Sequence, residues 1–133
     1  MILINLPGKP IPFKSPAVYQ RRCFNPRHAE KEQMQGYIKT QYADELLNCA
    51  LSVSFTFFIE MPVSFSKKKR EAALREEIYP TTRPDTTNYQ KFYEDCLTDI
   101  VIVDDSLIVD IHSKKRYALK ACTVIQINKM NLD

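Results

Sequence analysis

Between Leu51 and Phe57 the odd positions are Leu, Val, Phe and Phe and the even ones Ser, Ser and Thr. A period of two puts the apolar set on one face of an extended chain and the hydroxyls on the other, so this segment reads as a strand of a half-covered sheet. The rest of the chain has to supply layers for that sheet. Ile2 to Leu6 suits a short first strand, followed by Pro7, Gly8, Pro10, Pro12 and Pro16, which keep the chain extended. Asn25-Pro26 is a helix start, and Met34, Tyr37, Ile38 and Tyr42 recur at helical spacing, predicting a helix from about 26 to 47. Tyr37, Tyr42, Tyr89 and Tyr93 read as core residues.

Ser66 can cap a second helix ending near Glu77, and Pro80 to Pro84 must be loop. Tyr89, Phe92, Tyr93, Cys96, Leu97 and Ile100 mark one apolar face of a third helix, expected over 88–99, which leaves Asn88, Lys91 and Asp95 on the opposite side. Thr87, three residues before Gln90, has the spacing of a capping box. Strands are expected over 101–103, 107–117 and 122–128. In the long one Leu107, Val109 and Ile111 should face one way, and Asp110, His112, Lys114 and Arg116 the other. Strand and helix signals interleave without a strict βαβ rhythm. The expectation is one α+β domain over 1–133, whose mixed sheet carries its helices mainly on one face.

Composition narrows the function. No apolar run approaches the roughly 20 residues that cross a bilayer, and no charged-then-apolar leader opens the chain, so a cytoplasmic protein with no membrane partner is expected. Four scattered cysteines and two histidines give neither a zinc knuckle nor a disulfide framework. His28 and His112 read as surface or capping residues. The net charge of +3 matters less than its placement. Residues 1–29 contain Lys9, Lys14, Arg21, Arg22 and Arg27 with no acid, and Lys67, Lys68, Lys69 and Arg70 form an unbroken run. Acids gather at Asp85, Glu94, Asp95, Asp99, Asp104, Asp105 and Asp110. A basic rim around an acidic centre suits an enzyme that holds phosphates and uses a metal.

The sharpest constellation is Arg83-Pro84-Asp85-Thr86-Thr87-Asn88, with Lys91 and Asp95 on the following helix and Asp104-Asp105 after a short apolar stretch. Carboxylates at two chain turns can converge on an oxygen-seeking cation such as Mg²⁺. Each piece also has a plainer reading. Asp104-Asp105-Ser106 makes a good hairpin turn, Asp85 a solvated loop acid, and Lys91 with Asp95 an ordinary i,i+4 surface pair. Cations at Lys67 to Arg70 oppose the dipole of the helix they begin, which a bound polyanion would reverse. A merely solvated face is the alternative. Lys114, Lys115 and Arg116 either extend the basic rim or protect a sheet edge.

Taken together, R-P-D-T-T-N-Y-Q-K-F-Y-E-D-C-L followed by V-D-D-S-L-I-V resembles the RusA-type Holliday junction resolvases, whose signature is similar to P-D-x-D-N-x-x-K-x-x-x-D-x-L with a later D-D. G-K-P-I-P near the start and P-V-S-F-S-K-K-K-R after the main strand fall in the same order. The resemblance implies a two-layer sandwich that forms a homodimer and acts on branched DNA, a four-way junction above all, with Mg²⁺ as cofactor and no organic cofactor; whether Mn²⁺ can replace Mg²⁺ is not readable from the sequence. It implies that Asp85 and Asp105 are metal ligands, that Lys91 assists at the scissile phosphate, that Asp104 is an acidic neighbour and that Asn88 is a supporting position. Asp95 would act at most through other residues. Lys67 to Arg70 would contact DNA, and Arg21, Arg22 and Arg27 are weaker candidates for the same role. One position departs: Thr87 stands where the family has its second aspartate, two residues after the first. A hydroxyl can coordinate Mg²⁺ but brings no charge, so weaker metal binding is expected, with Asp104 compensating. The alternative is a family member that binds junctions without cutting.

Overall fold

The alternating segment is the backbone of the sheet. In the structure, a computed structural model that describes residues 1–19 and 22–130, it forms strand β4 over Leu51–Glu60. Val53, Phe55 and Phe57 are fully buried on one side. Ser52, Ser54 and Thr56 stay partly exposed on the other. Around β4 the sheet also takes β1 (Ile2–Pro7), β5 (Ile108–Ala118) and β6 (Cys122–Lys129), in the order β1-β6-β4-β5. β6 pairs antiparallel with both β1 and β4, whereas β5 runs parallel to β4. A parallel neighbour requires a crossover, and the crossover contains helices α2 (Lys67–Leu74) and α3 (Thr86–Leu97). Two short strands, β2 (Ala17–Tyr19) and β3 (Arg22–Phe24), make a separate hairpin.

Helices α1 (His28–Gln41) and α3 lie over the apolar side of the sheet, giving the expected mixed-sheet α+β fold. Phe57 lies 5.1 Å from the Tyr89 ring and 5.7 Å from that of Tyr93. Each such fully buried side chain contributes about 1.5–3 kcal/mol. Tyr42, Tyr89 and Tyr93 are core residues as expected, but Tyr37 is exposed on the solvent side of α1. Cys49, Cys96 and Cys122 are free thiols, and burial pushes Cys96 up to about 12. Among the described residues, no helix is long and apolar enough to cross a membrane.

Several expected boundaries move, each for a local reason. α1 ends at Gln41 rather than 47, because Leu47 is drawn into an extended bridge with Ile102. Leu47 donates to Val101 O at 2.8 Å and its own carbonyl accepts from Val103 N at 3.0 Å. The expected strand over 101–103 reduces to that bridge, since Asp99 adopts a left-handed φ of 69° and turns the chain back toward α3. α3 begins two residues earlier than expected, with Asp85 rather than Thr87 as its N-cap, so the capping box is not formed. In β5 a register shift follows Leu51, whose partner is Ile108, while Ser52 pairs with Asp110. The skipped Val109 is 63% exposed, and Leu107 falls in a 3-10 turn over Asp105–Leu107. Ile111, Ser113 and Lys115 therefore share the helix-covered side, opposite Val53, Phe55 and Phe57. Asp110, His112, Lys114 and Arg116 take the open side as expected.

Candidate active site

Asp85 ends an irregular segment and begins α3. Its backbone is extended (φ −72°, ψ 156°), its carbonyl accepts from Asn88 N at 3.1 Å and Tyr89 N at 3.2 Å, and its carboxylate makes no capping hydrogen bond. An exposed carboxylate at a helix N-terminus, not engaged by the helix amides, is available to another partner. Thr87, Lys91, Glu94 and Asp95 then follow at spacings of three and four, forming one stripe along α3.

Lys91 is held at its apolar edge by the N-terminal arm. Its Nζ stands 4.2 Å from the centroid of the Phe13 ring, and Phe13 N donates to Asn88 O at 2.9 Å. This bond is a main-chain tie between arm and helix, made by the Asn88 carbonyl rather than its side chain. A second tie joins Ile11 N to the Tyr93 hydroxyl at 3.0 Å.

At the other end of the stripe, carboxylates accumulate. Burial raises the Glu94 carboxyl above its ordinary value, and the charges of Asp105 and Asp95 raise it further, against a Gln90 hydrogen bond and Lys91. Asp95 is raised first by burial and then by Asp105, with Lys31 of α1 and Lys91 opposing. The 3-10 turn after α3 therefore brings Asp105 into the field of Glu94 and Asp95. Asp104 is lowered by the Ser106 hydroxyl and amide; the amide lies 3.3 Å from its carboxylate. Asp104 is thus fixed as an anion at the turn that presents Asp105.

The structure brings Asp105, Glu94, Asp95 and Lys91 into one electrostatic neighbourhood. Asp85 lies nine residues before Glu94, about 14 Å along the helix axis. Among the described residues, no three acidic, histidine or cysteine side chains already form a group able to hold a metal ion. The donors themselves fit a hard divalent cation, because carboxylates and a hydroxyl are the available ligands and the acids already repel one another. Glu94 counts among the gathered acids of the sequence but was given no role at the site. The available signal was its place three residues after Lys91, beside Asp95.

The basic run divides on inspection. Ser66 accepts from Lys69 N at 3.2 Å and caps α2 as expected. Lys67, Lys68 and Lys69 are all exposed, and Lys69 lies over the Phe65 ring at 4.3 Å. Arg70 turns back, donating to Phe65 O at 3.3 Å and Pro62 O at 3.4 Å. Arg27 likewise donates to Pro12 O at 3.2 Å and lies 3.6 Å from Glu30. Arg21 and the side chain of Arg22 lie outside the described residues. On β5, Lys114 is exposed, while Arg116 pairs with Glu76 at 3.3 Å and stacks over Tyr79. His28 and His112 sit on the surface beside Glu32 and Asp110.

Residues 7–128 match the family described as Endodeoxyribonuclease RusA. The chain is also similar to the protein designated "Uncharacterized protein YqaN" of Bacillus subtilis strain 168, at 31% identity over 103 residues, covering 75% of this chain and 72% of that protein. The match takes in the arm, strands β4 and β5 and the stripe of α3 together, and the chain belongs to the RusA endodeoxyribonuclease family.

Proposed function

We propose that this protein is a divalent-metal-dependent endonuclease that resolves four-way DNA junctions by paired nicks, acting as a homodimer of one domain spanning residues 1–133. The observation that carries the reading is the packing of the 3-10 turn that bears Asp105 against α3, whose stripe carries Lys91, Glu94 and Asp95. Asp85, Asp104 and Asp105, with the Thr87 hydroxyl, would hold Mg²⁺, or Mn²⁺ in its place. A divalent ion held there would supply an activated water and neutralise charge on the phosphate. Lys91 offers an ammonium, oriented by Phe13, to a phosphoryl oxygen as charge develops there. Lys67 and Lys68 offer cations to the DNA backbone, so binding should weaken steeply with salt. A four-way junction is close to two-fold symmetric, and two identical sites match its need for two cuts.

A second reading is favoured by Thr87, which removes one anionic ligand position: a family member that binds junctions without cutting them. Incubation of a synthetic four-way junction with protein and Mg²⁺ separates the two. Paired nicks support the nuclease, whereas salt-sensitive binding with intact strands supports the binder.

A further inference from the structure

Lys115 does not join the basic rim. The register of β5 sets it opposite Phe57, on the helix-covered side of the sheet, while its neighbours Lys114 and Arg116 turn to the open side. From there its Nζ donates to Thr82 O at 2.7 Å and to Pro84 O at 3.0 Å. These carbonyls lie three and one residues before Asp85. Two residues earlier on the same strand, Ser113 Oγ donates to Gln90 Oε1 at 2.7 Å, and Gln90 Nε2 donates to Glu94 Oε1 at 3.0 Å. One edge strand thus fastens both the approach to α3 and its second turn.

An ammonium on two converging carbonyls and no carboxylate acts as a fastener rather than a counter-ion. The held segment is irregular, so nothing in a helix or sheet ladder would otherwise fix where Asp85 begins α3. We infer that Lys115 is a positioning residue of the metal site: it acts through Thr82 and Pro84 to set the place of the Asp85 carboxylate. The inference rests on the proposed role of Asp85 as a metal ligand.

Electrostatics makes the inference testable, because the two possible effects of Lys115 have opposite signs. A cation near a cation site disfavours metal, so losing its charge alone would tighten Mn²⁺ binding. Losing an anchor of a ligand-bearing segment loosens it, and partners of this kind typically contribute 10–100-fold in metal affinity. The experiment titrates DNA-free protein with Mn²⁺ and reads free Mn²⁺ by electron paramagnetic resonance, alongside amide hydrogen exchange at Thr82, Arg83, Asp85 and Thr86. Lys115→Met should weaken Mn²⁺ binding by about 10-fold or more and speed exchange in that segment, with Lys115→Arg recovering much of both. If Lys115→Met does not fold, Lys115→Gln, which keeps a single donor group, should show a smaller loss in the same direction. Unchanged or tighter Mn²⁺ binding in the folded variant overturns the inference. A wild-type protein that binds no Mn²⁺ overturns the metal reading itself, and that failure is visible before any variant is compared.

Discussion

The ammonium of Lys91 lies 4.2 Å from the centre of the Phe13 ring, so a side chain of α3 is oriented by the N-terminal arm. A cation–π contact of this kind is worth about 0.5–1 kcal/mol at an exposed site. Transition-state stabilisation by a charged donor is worth considerably more. Lys91→Ala is therefore expected to slow cleavage by about 10²-fold or more, and Phe13→Ala only several-fold. Single-turnover rates on a four-way junction, with binding measured separately in Ca²⁺, check the ordering. Equal losses in the two variants would show that the arm matters for more than orientation.

Thr87 tests how the missing carboxylate is tolerated. Thr87→Asp adds charge to the stripe that ends at Glu94 and Asp95, and a cation gains from it. Metal titration of cleavage should show a lower Mg²⁺ requirement in the variant. An unchanged requirement would place Thr87 outside the metal site.

Glu94 gives a pH signature. Its folded carboxyl titrates above the ordinary value of 4.5, through burial and then the charges of Asp105 and Asp95. Below the ordinary value both folded and unfolded chains are protonated and the group contributes nothing. As pH rises through the raised folded value the native state must carry a disfavoured charge, and stability is lost. Glu94→Gln removes that charge. In metal-free buffer at neutral pH it should raise Tm by roughly 1–3 °C, and the gain should vanish as pH is lowered into the ordinary carboxylate range. Thermal melts across that range decide it, since a pH-independent difference would point to packing rather than charge.

Two core tyrosines and their neighbours separate packing from tethering. Phe57 is fully buried against Tyr89 and Tyr93, so Phe57→Ala should cost about 3–5 kcal/mol. Tyr93→Phe keeps the ring and removes the hydroxyl that accepts from Ile11 N, at a cost of about 1 kcal/mol. Urea denaturation measures both. The second variant should also release the arm, seen as faster amide exchange at Ile11 without a comparable change in β4.

Much of the fold was legible because its signals are local. The alternation from Leu51 to Phe57, the Ser66 cap and the apolar face of α3 are each written in adjacent residues, and all three appear in the structure. What was not legible depends on partners distant in sequence. The end of α1 is set by Leu47 meeting Ile102, and the faces of β5 by a register shift against Leu51. For the candidate site, the signature named Asp85, Lys91 and Asp105. It could not show that Glu94 lies in the field of Asp105, that Arg70 turns to its own loop, or that Lys115 faces inward. Those depend on how a 3-10 turn, a capping loop and a shifted strand fall in space.

The central claim is that acidic residues from the start of α3 and from the turn after it share one divalent ion. Titration of the DNA-free protein with Mn²⁺, followed by paramagnetic broadening of backbone amides, tests it without relying on activity. The account predicts that amides at 85–87 and at 104–106 broaden together, at the same Mn²⁺ concentration, and that Asp105→Asn weakens both effects in step. Broadening confined to one of the two segments, or two segments responding at different concentrations, would contradict it.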